Sequence, residues 1–388
     1  MEKSGNKISV SGAVVIILSF LLFSFAQYRP NRVLTGTNVF ARELFESNFL
    51  LLLLFSFLIL IFTIINSRRY VLFVGGLSLL LIGLTLYFFG IALERESFQV
   101  ITTGRISIGG GFWLALLGTY MVINGSFKGF YKAILYRRIF YIFILLIIAG
   151  FLISGHLNSL SVMKEFANRS SAFFSQINRH FSLSFLSVLV SILIGIPAGI
   201  LIYISKKANH PALFIINLGQ TVPTLSLLGL IMAPLTLLGE QSDFLRNLGV
   251  RGVGFTPAFI VLIIYALFPV IHNTIAGLKL VDDNLLEVAK SLGMDRSQVF
   301  WKVQLPLSLP VILGGIRTAM TQSIGNTILA GLIGGGGLGS IIFLGLAQAA
   351  PDLILLGIIP LVIMAFLLDS FFSFFLFFYR RKFSGEIQ

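Results

Sequence analysis

The chain has 388 residues, of which 56% are hydrophobic and 11% charged, with no cysteine and a formal net charge of +13. Soluble domains carry about 25% charged residues, so too few polar side chains exist to cover a globule of this size, and a water-soluble enzyme is excluded. Without cysteine there is no disulfide framework, thiolate metal site or cysteine nucleophile, and the four histidines are scattered; no metal site and no catalytic residue is expected.

An apolar run of roughly 17–25 residues spans a hydrocarbon core of ~30 Å. Such runs lie at 10–26, 49–66, 71–92, 111–124, 140–154, 181–205, 211–239, 256–277, 309–333 and 353–378, which predicts an all-α integral membrane protein of about ten spans. The first follows Lys3 and Lys7, as a signal peptide would. Its apolar stretch is longer than the usual ~7–15 residues and no small-x-small cleavage site precedes Tyr28, so it is expected to be retained.

An even number of spans puts both termini on one side. That side holds 17 basic and six acidic residues, against 10 and eight opposite, with Arg317 and Asp369 inside spans. The positive-inside rule then makes both termini cytoplasmic, and the basic balance reads as topology and contact with anionic lipid rather than nucleic-acid binding. The segment 156–180 is the longest polar stretch on the outer side and is expected to form a surface element.

The chain divides near residue 170. Residues 1–170 hold five spans with bland connections, and residues 171–388 hold five more with patterned polar residues. In the seventh span Asn217, Gln220, Thr221 and Thr224 recur at i, i+3, i+4 and i+7; in the ninth, Thr318, Gln322 and Asn326 recur at i, i+4 and i+8. Polar groups inside a bilayer are costly unless they face water or one another. Two readings fit: a translocation pathway, or interhelical hydrogen bonds that hold the bundle. Pro223 removes a backbone hydrogen bond within its span and is expected to kink it. His272 is expected as a satisfied interfacial histidine at the end of the eighth span.

The long connection at 278–308 carries helix punctuation. Asn284 followed by Glu287 matches a capping box, Gly293 sits where a helix end takes a left-handed residue, and Asp295 with Gln298 repeats the capping pattern. Two short helices with a glycine corner, the second ending near Leu305-Pro306, make a rigid elbow. Glu287-Val288-Ala289, three residues, Gly293, nine residues and Val303-Gln304-Leu305-Pro306 resemble the EAA loop of ABC importer permeases. In that family the elbow docks into a cytoplasmic ATPase; the resemblance assigns Glu287, Ala289, Gly293, Leu305 and Pro306 to this coupling.

Gln220-Thr221-Val222-Pro223-Thr224, Gly252-Val253-Gly254-Phe255-Thr256-Pro257-Ala258 and Tyr265-Ala266-Leu267-Phe268-Pro269 are similar to permeases of osmoprotectant importers, which move glycine betaine, choline, carnitine and related amines. Gly334 to Gly339, interrupted only by Leu338, resembles a glycine-rich turn of that group and of methionine-type importers. The first 170 residues resemble the accessory spans of a subset of these permeases. The resemblance implies a type I importer core in a bacterial plasma membrane, with hinge or gate residues Pro223, Gly336 and Gly337. Its implied partners are cytoplasmic ABC ATPases, a second permease subunit, identical or different, and a periplasmic or lipid-anchored binding protein. No phosphate-binding G-x4-G-K-[ST] motif occurs; ATP and magnesium would be bound by the partner ATPase and the chain itself would hold no cofactor. Methionine import is the nearest alternative, and an ion-coupled secondary transporter a more distant one.

Arg317 lies about nine residues, ~13 Å, into its span and Asp369 about ten residues, ~15 Å, from the end of its own. At like depths, mutual pairing is expected.

Overall fold

In a bilayer every backbone polar group must be satisfied internally, which a helix does within a single segment. The computed structural model describes residues 2–30, 35–65, 68–95, 104–128 and 133–383. Among these residues eight helices are long and apolar enough to cross a membrane. They correspond to the second, third and fifth to tenth expected spans. In place of the first and fourth stand Glu2–Leu22, whose apolar part Lys7–Leu22 is short, and the 17-residue helix Gly110–Ser126. The chain falls into two compact units, Met1–Asn168 and Arg169–Gln388.

The first unit runs α1 (Glu2–Leu22), β1 (Ser24–Arg29), β2 (Thr37–Phe40), α2 (Ala41–Phe45), α3 (Phe49–Ile65), α4 (Val71–Leu93), β3 (Arg105–Ile108), α5 (Gly110–Ser126) and α6 (Ala133–Ile153). The first helix stops at Leu22 instead of continuing to Ala26. Residues 24–29 are drawn into an antiparallel sheet of order β2-β1-β3, whose ladder bonds outweigh helix continuation. Helices α1 and α5 approach closely at Gly12 and Gly118. A Cβ on either would lie 2.7 Å from the other's carbonyl oxygen, so only glycine permits this contact. Below the sheet, Phe20 stacks on Phe25 at 4.6 Å, and Phe25 meets Phe45 edge-on at 5.5 Å. Buried Glu165 pairs with Arg105 of β3.

The helix α7 (Ser161–Ile204) is interrupted at Arg169 (φ −132°, ψ 20°), where the units divide. Beyond it come α8 (Lys206–Thr221), α9 (Thr224–Gln241), α10 (Asp243–Asn247), α11 (Phe255–Lys279), α12 (Asp283–Ser291), α13 (Arg296–Val299), α14 (Leu305–Asn326), α15 (Leu338–Ala347) and α16 (Pro351–Phe383). The core of this unit forms where α7, α11 and α14 meet, around Val188, Ala266, Val270, Ile312, Ala319 and Met320. Within it Ser184 bonds Thr327 at 2.9 Å, Ser187 bonds Ser323 at 3.0 Å, and Ser191 donates to the Ile263 carbonyl at 2.9 Å. Residues 167–179 are exposed or half-buried, as expected of a surface element. Most of the segment 156–180 is the start of α7, and His180 is fully buried, because its two ring nitrogens find backbone partners inside the unit.

Candidate functional site

The elbow begins at Asp282, whose carboxylate accepts the Asn284 N–H at 2.9 Å. The expected Asn284–Glu287 box does not form. Asp282 has the extended backbone a cap requires (φ −61°, ψ 126°), and Asn284 is already inside α12. At the far end Gly293 has φ +84°. Its N–H reaches the Lys290 carbonyl at 2.9 Å, and the Met294 N–H reaches Ala289 at 3.2 Å, the paired bonds of a Schellman motif. Asp295 and Gln298 then cap each other reciprocally, at 2.8 and 3.2 Å.

The second elbow helix does not end near Leu305-Pro306. After α13 a π turn, Phe300–Gln304, runs directly into α14. Pro306 offers no N–H and its ring displaces the carbonyl four residues back; the chain absorbs this with a wider bond from the Leu305 N–H to the Phe300 carbonyl. The elbow is therefore a rigid extension of the ninth span. It presents exposed Leu285, Glu287, Val288, Leu292 and Trp301, while Ala289 is buried beneath them. Space around Gly293 is open, with nothing within 4 Å of where a Cβ would stand. Leu305 and Pro306 are half-buried at its base.

Gln304 anchors that base. It is 7% exposed and donates to the Tyr203 hydroxyl at 2.7 Å and the Leu278 carbonyl at 3.3 Å. Tyr379 donates to the Pro306 carbonyl at 3.1 Å; burial pushes its hydroxyl above the ordinary tyrosine range, so it stays a donor. The elbow is thus tied to the ends of α7, α11 and α16. Gln304→Leu leaves two acceptors facing an apolar side chain and is expected to cost about 1–3 kcal/mol. Thermal unfolding in detergent checks this, with Tyr203→Phe losing less and the pair less than additive.

The seventh span is not one helix. Val222 (φ −69°, ψ 126°) and Pro223 (φ −62°, ψ 133°) are extended, because a residue before proline is driven out of the helical region. Asn217, Gln220 and Thr221 end α8 and Thr224 begins α9, so the four share no continuous helical face. The break is held by α11: the Tyr265 hydroxyl donates to the Val222 carbonyl, and Phe268 fills the space above Gly219, where a Cβ would meet its ring at 2.3 Å. In α14, Thr318 and Gln322 are exposed and Asn326 half-buried. Thr221 and Thr318 satisfy their hydroxyls on their own helices, at the Leu218 and Gly314 carbonyls. Among the described residues the amides of Asn217, Gln220, Gln322 and Asn326 bond no other helix; Ser184 and Ser187 of α7 make such bonds instead, to Thr327 just past α14 and to Ser323 within it.

Gly336 and Gly337 have φ +83° and +86° and lie in a turn grasped by α7. Gln176 accepts the Gly337 N–H at 2.6 Å, His180 Nδ1 accepts the Leu338 N–H at 3.3 Å, and Arg179 donates to the Gly335 carbonyl at 3.2 Å. With Nδ1 accepting, the network places the proton on Nε2, which reaches the Ile324 carbonyl at 3.0 Å. Arg179 also lies 4.4 Å above the Phe255 ring, and the Gly254 N–H meets the Ile333 carbonyl at 2.7 Å.

Arg317 and Asp369 are brought together. The Arg317 Nε donates to Asp369 Oδ1 at 2.7 Å, and a second guanidinium nitrogen lies 2.5 Å from the same oxygen. His272 departs from expectation: its Nδ1 is buried without a hydrogen-bond partner among the described residues.

Residues 191–385 match the family described as binding-protein-dependent transport system inner membrane component. The chain belongs to this family. Residues 6–163 match the N-terminal domain of ABC transporter permease YehY, so the two family matches of this binding-protein-dependent permease lie on separate stretches. The chain is 36% identical over 190 residues to the choline transport system permease protein OpuBB of Bacillus subtilis, covering 49% of this chain and 80% of the relative. It is 38% identical over 191 residues to the carnitine transport permease protein OpuCB of Listeria monocytogenes, with 49% and 80% covered. A chain of a solved methionine ABC transporter, MetNI in an inward-facing conformation, is 19% identical over 55% of this chain and 98% of its own, with a TM-score of 0.48.

The permease is a multi-pass membrane protein and a transport subunit. Tyr203, Gln176, Arg179 and His180 are given no site role by the sequence, and Gln304 is read only as part of the elbow motif. Gln304 alone carried a signal, as a polar residue between apolar neighbours at the elbow's base.

Proposed function

We propose that this chain is the permease subunit of an ATP-driven importer of choline, carnitine, glycine betaine or a related quaternary amine. The observation that carries the reading is the elbow at 282–304: doubly capped, cornered at Gly293 and fused through a π turn to the ninth span. A structure tied at its base to three helices moves with them, so a partner that displaces its tip moves the bundle. The partner is a cytoplasmic ABC ATPase that binds ATP and magnesium and meets Glu287, Val288 and Gly293; the chain holds no cofactor of its own. Both termini and the elbow then lie on the cytoplasmic side of a bacterial inner membrane, and a binding protein delivers substrate opposite.

The exposed amides of Asn217, Gln220 and Gln322, with half-buried Asn326, support a pathway lined together with a second permease subunit. An amide left against hydrocarbon costs several kcal/mol, whereas water or a facing subunit removes that cost. Such a surface passes a zwitterion or compact cation without trapping it. Reconstituted vesicles should accumulate such a solute only with ATP, the ATPase and the binding protein present. Accumulation driven by a proton or sodium gradient alone would overturn the reading.

A further inference from the structure

The first unit has two electrically different ends. At the sheet end, two arginines have acidic partners: Arg95 pairs with Glu46 at 2.6 Å, and Arg105 with buried Glu165. The other end gathers the starts of α1, α4 and α6 with the end of α5. Ser9, Tyr70, Val71 and Ser126 line one small cavity there, and Val71, Phe127, Ala133, Tyr136 and Phe140 form one apolar cluster. Lys7, Arg69, Lys128, Arg137 and Arg138 belong to this end, and no Asp or Glu occurs between residues 97 and 164. Glu2 is the acidic residue that begins α1 there.

Arg137 is held in place rather than merely attracted. Its Nε donates to the Ala133 carbonyl and a terminal nitrogen donates to Asn124 Oδ1, both at 3.2 Å. Asn124 is fixed in turn, donating to the Tyr120 carbonyl at 3.0 Å and the Tyr141 hydroxyl at 2.5 Å. Tyr120 and Tyr141 stack at 5.7 Å. Both acceptors on Arg137 are neutral, and a guanidinium has five N–H donors in a planar fork suited to phosphate. Arg137 stands two residues inside the span Leu135–Ile153, ~3 Å along the helix, which is headgroup depth. Only 6% of that span's apolar window is buried in the protein, which leaves its flank open to lipid.

We infer that Arg137, positioned by Asn124 and backed by Arg138 and Lys128, binds the phosphate of an anionic phospholipid headgroup at this end of the unit. The test uses the full chain in phosphatidylcholine nanodiscs, with retained phosphatidylglycerol counted by native mass spectrometry. Arg137→Gln should weaken retention about fivefold, the contribution of one arginine near an anionic surface, whereas Arg42→Gln, exposed at the sheet end, should change nothing. Asn124→Ala keeps every charge and should still lose much of the retention, with an unchanged size-exclusion profile. Equal effects of Arg137→Gln and Arg42→Gln, or full retention in Asn124→Ala, would reduce the patch to diffuse charge and overturn the proposal. Inorganic phosphate that bound the wild type in phosphatidylcholine discs and displaced the lipid would assign the site to a soluble phosphate instead.

Discussion

Gly293→Asp is expected to leave the permease folded in the membrane and to abolish its stimulation of the partner ATPase. The fold survives because a side chain at Gly293 meets open space, and the left-handed backbone at φ +84° costs an aspartate only about 1 kcal/mol. The partner surface does not survive. On the proposed coupling role, a carboxylate added at the corner, beside exposed Val288 and Leu292, brings an unpaired charge to the docking surface and opposes docking by several kcal/mol. Gly293→Ala carries at least as much backbone strain without the charge and should keep most of the coupling. ATPase assays of the reconstituted complex, with membrane abundance measured alongside, separate the two variants. Normal substrate-stimulated hydrolysis in Gly293→Asp would remove the elbow from its coupling role.

Breaking the Arg317–Asp369 pair should lower membrane abundance in each single variant, and exchanging the charges should restore part of it. The two side chains are 35% and 47% exposed, so within a span their surroundings are lipid or another subunit rather than the interior of this one. A lone charge at such depth costs about 2.5–3.5 kcal/mol by insertion scales. The short bonds from Arg317 to Asp369 Oδ1 offset part of that cost, and a single substitution exposes the rest. Arg317→Asp creates two facing carboxylates and should be the worst. The double variant Arg317→Asp, Asp369→Arg keeps opposite charges on α14 and α16 but changes the length of each arm, hence partial recovery. Strictly additive loss, read by quantitative immunoblotting of membranes, would mean that the pair contributes nothing.

What the sequence determined by itself was whatever rests on neighbours in the chain. Apolar windows follow from hydropathy over about 20 residues, and eight of them became spanning helices. The Gly293 corner and the Asp295–Gln298 box depend on residues within five positions of one another, so their spacing was legible. Local rules failed where two local options competed: Asp282 took the cap from Asn284, and the residue before Pro223 left the helix outright instead of bending it.

Tertiary structure decided everything that joins residues far apart. Residues 24–29 leave the helical pattern only because residues 37–40 and 105–108 arrive to pair with them. His180 looked like surface until the glycine turn, more than 150 residues later, supplied partners for it. The outward direction of the Asn217, Gln220 and Gln322 amides could not be read from periodicity, since a polar stripe looks the same whether it turns toward a neighbouring helix or away from the subunit. Here the small hydroxyls of α7 and α14 took the interhelical contacts, because serine and threonine let helices approach closely; the longer amides were left facing out.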